Sequence, residues 1–392
     1  MKPTGDAALP LPDPEARAHS DRVRARIVEE IRAGGGAIPF SRFVSLALYE
    51  PGLGYYSAGA HKLGRDGDFV TAPEISPLFS RCLARACAEI LRELGGGDIL
   101  EVGGGSGAMA VDLMGALAAL DALPGSYRIL EVSADLRERQ RARAAGLPPA
   151  IASRFEWPDE PPKSPFRGVI LGNEVVDALA FERFRIDAAG PVRFGVALEG
   201  QAFAWTSLPA TEVLSAAVAA IESDLGRKLP VGYESEVCLD LVPWIAGITA
   251  PLEAGAVLLI DYGFGRREYY HPDRVTGTMM CHYRHRAHPD PFLLPGLQDI
   301  TAWVDFTALA DAGMAAGLEF GGLTTQAAFL LATGVTELMS DDGPPDGPEV
   351  AAAARQLLMP GEMGERFRVI GFGRHWSGTL PGLTFTDLSG SL

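Results

Sequence analysis

The sequence predicts an α/β fold of Rossmann-like type: a parallel sheet with helices on both faces, an N-terminal helical and loop cap, and an inserted antiparallel β segment. Four short, continuous apolar runs lead there: DILEVG (98–103), SYRILEVS (126–133), FRGVILGNEV (166–175) and GAVLLIDYG (255–263). Runs of this length without polar alternation are strands covered on both faces. Helical patterns fall between several of them, notably over 108–120 and 134–145, and strands alternating with helices build a parallel sheet. Between the third and fourth runs, residues 182–208 alternate and turn in the manner of antiparallel strands, and 211–225 reads as a helix.

The remaining elements follow in order. Residues 1–18 are Pro-rich and read as a disordered start. From about Ser20, Val23, Ile27 and Ile31 recur at helical spacing until Gly34, Gly35 and Gly36 end the run. The stretch from Pro39 to Phe79 is mostly turns, with Tyr49, Tyr55, Tyr56 and Phe69 among them. Aromatics at that density point to an ordered loop region with a functional role. Leu78, Cys82, Leu83, Ala86, Ile90 and Leu94 then share one stripe of a helix over 77–94. In the last third, 304–318 is helical and 367–375 is one more strand. This reading divides the chain into a start and cap over 1–95 and a sheet domain over 96–392, with insertions at about 182–254 and 264–303.

Composition narrows the partners. The chain has 392 residues, 47% apolar and 21% charged, and a formal net charge of −16. Binding to DNA or RNA depends on neutralising phosphates with Lys and Arg, so nucleic acid is not expected as the main partner. Cys82, Cys87, Cys238 and Cys281 match neither a zinc-site spacing nor a disulfide framework and read as reduced thiols. No apolar run reaches 18 residues, so no membrane insertion is expected. The first 20 residues lack the pattern of a signal or transit peptide, and a cytoplasmic location is the expectation.

The chemistry concentrates at two strand ends. Glu101-Val102-Gly103-Gly104-Gly105-Ser106-Gly107 follows the first strand and precedes a helical run from Ala108. Glycines there allow a tight turn and close approach of backbone to a ligand, and the helix start offers free N–H groups to a carboxylate or phosphate. Glu131, at the end of the next strand, can accept hydrogen bonds from ribose hydroxyls. Gly103-x-Gly105-x-x-Ala108 also satisfies the dinucleotide fingerprint. Two features favour S-adenosyl-L-methionine as cofactor over NAD. Glu101 stands where a carboxylate would face a sulfonium and an amine but would repel a pyrophosphate, and no second mononucleotide half follows. At the third strand's end, Asn173, Glu174 and Asp177 form a polar tip where a sheet of this kind has its ligand crevice. If a helical turn begins there, Glu174 and Asp177 face one side; alternatively, either acid caps a following helix. Paired carboxylates would bind the planar fork of a guanidinium and orient one nitrogen for in-line attack on a methyl carbon.

Six blocks, ALYEPGLGYY, GDFVTAPEIS, EVGGGSG, GNEVVDAL, LLIDYG and PGLQDITAWVDFTAL, occur in this order. Together they closely resemble the MidA-like methyltransferases, relatives of the mitochondrial arginine methyltransferase that assists assembly of respiratory complex I. The likeness runs from about Ile38 to Arg374. It implies a Rossmann-like class I methyltransferase sheet, S-adenosyl-L-methionine as cofactor, and arginine of a protein, such as a complex I subunit, as substrate. It places Gly103, Gly105 and Gly107 in the cofactor loop, Asn173–Asp177 at the active-site edge, and Asp68 and Thr71 in a block folded over the cofactor. Relatives often carry proline where this chain has Ala180. The eukaryotic members reside in the mitochondrial matrix; this chain reads as a bacterial-type member.

Two other readings of the same residues are a cofactor-binding assembly factor with weak catalysis and a small-molecule methyltransferase. The N/D-P-P-Y/F tetrad of amide and adenine methyltransferases does not follow Leu171. His282, His285 and His288, with Cys281 adjacent, have ligand-like spacing in a Pro-flanked loop that need not converge, and no metal is assigned to them. Asp261-Tyr262-Gly263 reads equally as a crevice edge or a plain turn. Trp205, Trp244, Trp303 and Trp376 read as packing residues.

Overall fold

The four apolar runs become neighbouring strands of one sheet. A computed structural model of the chain describes residues 9–58, 70–341, 348–376 and 378–392. The sheet holds β1 (Asp98–Val102), β2 (Tyr127–Leu130), β3 (Phe155–Glu156), β4 (Phe166–Asn173), β5 (Leu252–Phe264), β6 (Glu319–Thr325) and β7 (Phe367–Arg374), in the order β3-β2-β1-β4-β5-β7-β6. A two-residue strand, Val304–Asp305, also pairs with β5. Strands β1 to β5 are parallel. The sheet is nevertheless mixed, because β7 runs antiparallel between β5 and β6, with Ile260 opposite Val369 and Leu323 opposite Ile370. The absence of alternation has a direct cause: Ile99, Leu100, Val169, Ile170, Leu171, Val257, Leu258 and Leu259 are all fully buried. Strand order reverses at β1, where Val102 faces Leu130 on one side and Gly172 on the other. In open α/β sheets that reversal marks the ligand crevice.

By contacts the chain forms two compact units. One comprises 70–176, 242–263 and 304–392 and contains this sheet. Its helix Pro77–Leu94 begins at Ser76, whose side chain accepts from the Leu78 N–H at 3.2 Å, and ends at Gly95, which is left-handed with φ 73°. The expected break near residue 95 falls inside this unit, because the helix's buried face of Leu78, Cys82, Leu83 and Ile90 belongs to the sheet's own core.

The other unit comprises the described part of 1–69 together with 177–241 and 264–303. The cap and the first insertion, separate in the sequence reading, share one antiparallel sheet here, while the strands of the second insertion form a three-stranded sheet of their own. In the shared sheet, strand Gly190–Glu199 pairs with Glu182–Asp187 and Ala202–Pro209, and also with the N-terminal strand Ala37–Pro39, Ala37 lying opposite Ala197. Two local expectations are corrected. The first helix is Pro14–Ala33, so 14–18 are helical and not disordered. Asp13 accepts from the Ala16 N–H at 2.8 Å, and Pro14 at the first helical position pre-sets φ. The turn-rich block contains a second helix, Phe40–Tyr49, whose buried Phe40, Phe43, Val44, Ala47 and Leu48 do fall at helical spacing, a ten-residue signal masked by the Gly- and Pro-rich turns that follow it.

Candidate functional site

The loop after β1 is built by what its glycines leave out. Gly103, Gly105 and Gly107 have φ of 70°, 52° and 82°, a region that costs an L-residue of order 1–2 kcal/mol. At Gly103 the lack of a side chain also makes room: a β-carbon there would lie 2.6 Å from Val175 Cγ1. Gly107 is the N-cap of the helix Ala108–Ala119, so the loop delivers the free N–H groups of a three-turn helix to the end of β1. Ser106 donates its hydroxyl to Glu74 of the short helix Ala72–Ile75. Thr71 is the N-cap residue of that helix and is half-buried. Asp68, with Gly67 and Phe69, lies outside the described residues.

Glu131 is buried at the end of β2 and accepts from the Ser133 N–H at 3.0 Å and from Gln140 Nε2 at 3.1 Å. Burial raises its pKa, and the donors from Ser133, Gln140 and the backbone of Gly105 oppose that rise. Gln140 was not singled out from the sequence. It also donates to the Gly105 carbonyl at 2.8 Å and accepts from Trp157 Nε1 at 3.0 Å, so one amide ties the glycine loop to Glu131. The sequence signal is faint: a lone amide in a helix otherwise dominated by Arg.

Glu101 is enclosed where β1 meets the glycine loop. It is buried, accepts the Tyr127 hydroxyl at 2.9 Å, and has its pKa pushed up to about 8 by burial, against the lowering effect of that bond. Below pH 4.5 the carboxyl is protonated in both folded and unfolded chains. Between there and about 8 only the unfolded chain releases the proton, so stability falls as pH rises through this window. Glu101→Gln should therefore be more stable than the parent at pH 8.5, by on the order of a few kcal/mol, and equal to it near pH 4.5. Urea titrations at both pH values measure this; an equal gain at both would refute the buried-carboxyl account.

The tip of β4 is fastened to the glycine loop. Val175 reaches Gly103 with Cγ1, and its Cγ2 would stand 2.8 Å from a β-carbon on Gly172. Asn173, buried, donates from Nδ2 to Glu174 Oε1 at 3.1 Å, while its Oδ1 is buried with no hydrogen-bond partner among the described residues. Glu174 sits at φ 54°, the left-handed region that non-glycine residues enter at a cost. Its N–H is held by the Ile260 carbonyl at 2.8 Å, and the Val176 N–H by Asp261 Oδ2 at 2.9 Å. No helix begins here: a bend and a turn follow, so neither the shared helical face nor the capping role for Glu174 and Asp177 holds. Asp261 is likewise not in a turn but within β5, fully buried, and it clamps the tip from below.

Asp177 opens the middle segment of the other unit and is buried there. The Tyr49 hydroxyl donates to the carbonyl of the next residue, Ala178, at 2.7 Å, and the Tyr49 and Tyr56 rings stack at 5.5 Å. Tyr56 donates to Asp299 Oδ1 at 3.0 Å. In the same unit the histidine segment is a hairpin and not a loop: Met280–Tyr283 pairs with Arg286–His288, and His285 lies in the turn with φ 60°. Burial lowers the His282 pKa to about 4, which keeps the ring neutral. Trp205 packs against Phe40 at 4.7 Å and Phe292 at 4.8 Å.

A glycine loop at the point where strand order reverses, an acid at the next strand's end and a polar tip beside them define a class I S-adenosyl-L-methionine-dependent methyltransferase. The chain belongs to the S-adenosyl-L-methionine-dependent methyltransferase family whose model matches residues 82–324. It is 42% identical to a superfamily member from Burkholderia thailandensis crystallised with bound S-adenosyl-homocysteine, covering 98% of this chain and 100% of that one with a TM-score of 0.93. It is 28% identical to the Danio rerio protein arginine methyltransferase NDUFAF7, mitochondrial, over 85% of this chain and 82% of that protein. For the Homo sapiens protein of the same name the figures are 26%, 85% and 79%. The cofactor is S-adenosyl-L-methionine. The residues present fit it: the glycine loop ends on the free N–H groups of a helix start, Glu131 offers a fixed carboxylate, and Asn173 has an acceptor with no partner among the described residues. Among the described residues no helix is long and apolar enough to cross a membrane.

Proposed function

We propose that the protein methylates an arginine side chain of a protein substrate, and that Gly103, Gly105, Gly107, Glu101, Glu131, Thr71, Asp68 and Asn173 serve the cofactor while Asn173, Glu174 and Asp177 serve the acceptor. One observation carries the reading. The tip pinned to the glycine loop by Val175 presents oxygen acceptors: Asn173 Oδ1, which has no partner among the described residues, and the Glu174 carboxylate. Acceptors at that place suit an N–H-bearing nucleophile. The names of the relatives as protein arginine methyltransferases support the same choice.

The bound cofactor supplies a methyl carbon made electrophilic by its positive sulfur. Glu131 would hold the ribose hydroxyls, and the helix start behind Gly107 would receive the carboxylate end. Glu101 would face the amine and shift toward its ionised form beside that positive charge. Asn173 and Glu174 accept the guanidinium N–H groups, so that one nitrogen is turned toward the methyl carbon. Asp177, four residues along from Asn173, supplies a further carboxylate to the cation. A respiratory complex I subunit is the first partner to examine, as the family resemblance implies.

The test is incubation with radiolabelled S-adenosyl-L-methionine and host lysate, followed by mapping of the modified residue. Label on arginine of a protein is the expected result. Label confined to other residue types or to small molecules would overturn the substrate assignment.

A further inference from the structure

The loop E-V-G-G-G-S-G holds four glycines, and one of them has no conformational reason to be glycine. Gly104, unlike Gly103, Gly105 and Gly107, does not have a positive φ. Its missing side chain makes room instead: a β-carbon there would lie 2.5 Å from Ile129 Cγ2 and 2.9 Å from Gln140 Nε2. A β-carbon on Gly107 would lie 3.2 Å from Gln140 Cα. The loop is packed down on one amide. That amide is buried in the helix Ala134–Ala144, about two turns beyond its N-cap Ser133. Chemistry fixes which way it faces. An indole N–H can only donate, so the atom that meets Trp157 Nε1 at 3.0 Å is the amide oxygen. The amide nitrogen then faces two acceptors, the Gly105 carbonyl at 2.8 Å and Glu131 Oε2 at 3.1 Å. Trp157 is braced in turn, its ring stacked on Phe155 at 5.9 Å and covered by the Arg141 guanidinium at 5.3 Å. Glu131 Oε1 takes the Ser133 N–H at 3.0 Å, so both carboxylate oxygens are gripped. All of these residues lie in the unit that contains the large sheet.

We propose that Gln140 is a positioning residue of the cofactor site, aiming the Glu131 carboxylate at the ribose hydroxyls, and that Trp157 acts through it by permitting a single orientation of its amide. This rests on the reading of Glu131 as the ribose-binding acid. A carboxylate already held in place loses little freedom when the ligand arrives, which favours binding. The same amide governs the loop. A trans peptide sets C=O and N–H on opposite sides, so holding the Gly105 carbonyl also fixes which way the Ser106 N–H points. Without the Trp157 N–H the amide can turn over. Its oxygen would then meet the Gly105 carbonyl and the Glu131 carboxylate, acceptor against acceptor, and both would be pushed out of place.

The test measures coupling between these residues and the ligand's hydroxyls. Adenosine and 2′,3′-dideoxyadenosine, which lacks both hydroxyls, are titrated into the full chain by calorimetric displacement of S-adenosyl-homocysteine. The parent should prefer adenosine. Gln140→Leu should weaken adenosine by roughly tenfold and leave the dideoxy compound within about twofold, whereas a merely structural role would weaken both alike. Trp157→Phe, which keeps a ring and removes the N–H, should weaken adenosine roughly threefold with the same dependence on the hydroxyls. The double variant should lose no more than Gln140→Leu alone, because Trp157 acts through Gln140. Equal weakening of the two nucleosides in Gln140→Leu, or undiminished adenosine binding there, would overturn the role of Gln140. Additive losses in the double variant would overturn that of Trp157. If Gln140→Leu does not fold by circular dichroism, Trp157→Phe carries the test, and unchanged adenosine binding in it overturns the proposal. No preference for adenosine in the parent, or a preference kept by Glu131→Ala, would instead strike the Glu131 assignment, and the proposal with it.

Discussion

Gly103→Val should lower affinity for S-adenosyl-L-methionine on the order of a hundredfold. Two independent penalties act at this position. The backbone stands at φ 70°, where a β-branched residue is strained, and the first added carbon would lie 2.6 Å from Val175 Cγ1. Val175 cannot simply retreat, because its other methyl is packed over Gly172 in the neighbouring strand. The substitution therefore disturbs the cofactor loop and the tip of β4 together. Calorimetric titration measures the loss, with near-ultraviolet circular dichroism to confirm that the rest of the core remains packed. Retention of parental affinity in a folded variant would remove the glycine loop from the cofactor site.

Asn173→Ala should cut kcat by about 10² to 10³ and weaken S-adenosyl-L-methionine binding as well, since a preorganised hydrogen-bonding group aimed at the reacting atoms is worth that much and Asn173 also serves the cofactor. Glu174→Gly should lose activity on the same scale yet gain about 1 kcal/mol of stability, because glycine occupies φ 54° without strain. A gain in stability paired with a loss of turnover is the signature of a residue held in a costly conformation for its chemistry. Single-turnover kinetics with labelled cofactor, alongside urea unfolding, reads both. If Glu174→Gly is active, or is less stable than the parent, the strained backbone at the tip serves packing alone.

What could be read from the residues follows the range of the interactions involved. The glycine loop, Glu131 and the polar tip are encoded within a few positions of a strand end, and strand burial wrote itself directly as unbroken apolar runs such as Ile99–Leu100 and Val169–Leu171. Non-local pairings left no such trace. Nothing in Ala37–Pro39 announces a partner in Gly190–Glu199, so cap and insertion looked like separate additions to the sheet. The helix Phe40–Tyr49 keeps its 3.6-residue period in Phe40, Phe43, Val44, Ala47 and Leu48, but it is only ten residues long and the turn residues that follow outweighed it. Gln140 and Asp299 act by linking segments that only tertiary structure brings together. The local conformations at Glu174 and Asp261 were not legible for a related reason: a strained residue and a carboxylate buried inside a strand both break the local rules from which turns and caps are inferred.

The pairing of Ala37–Pro39 with Gly190–Glu199 has a consequence for biosynthesis. Ala37–Pro39 meets its partner strand only after roughly 160 more residues have been made, on the order of ten seconds at ordinary translation speeds. Through that interval the apolar faces of Phe40 and Phe43 wait for aromatic neighbours such as Trp205 and Phe203, which are encoded far downstream. Until those partners are made, this segment is open to chaperones and proteases.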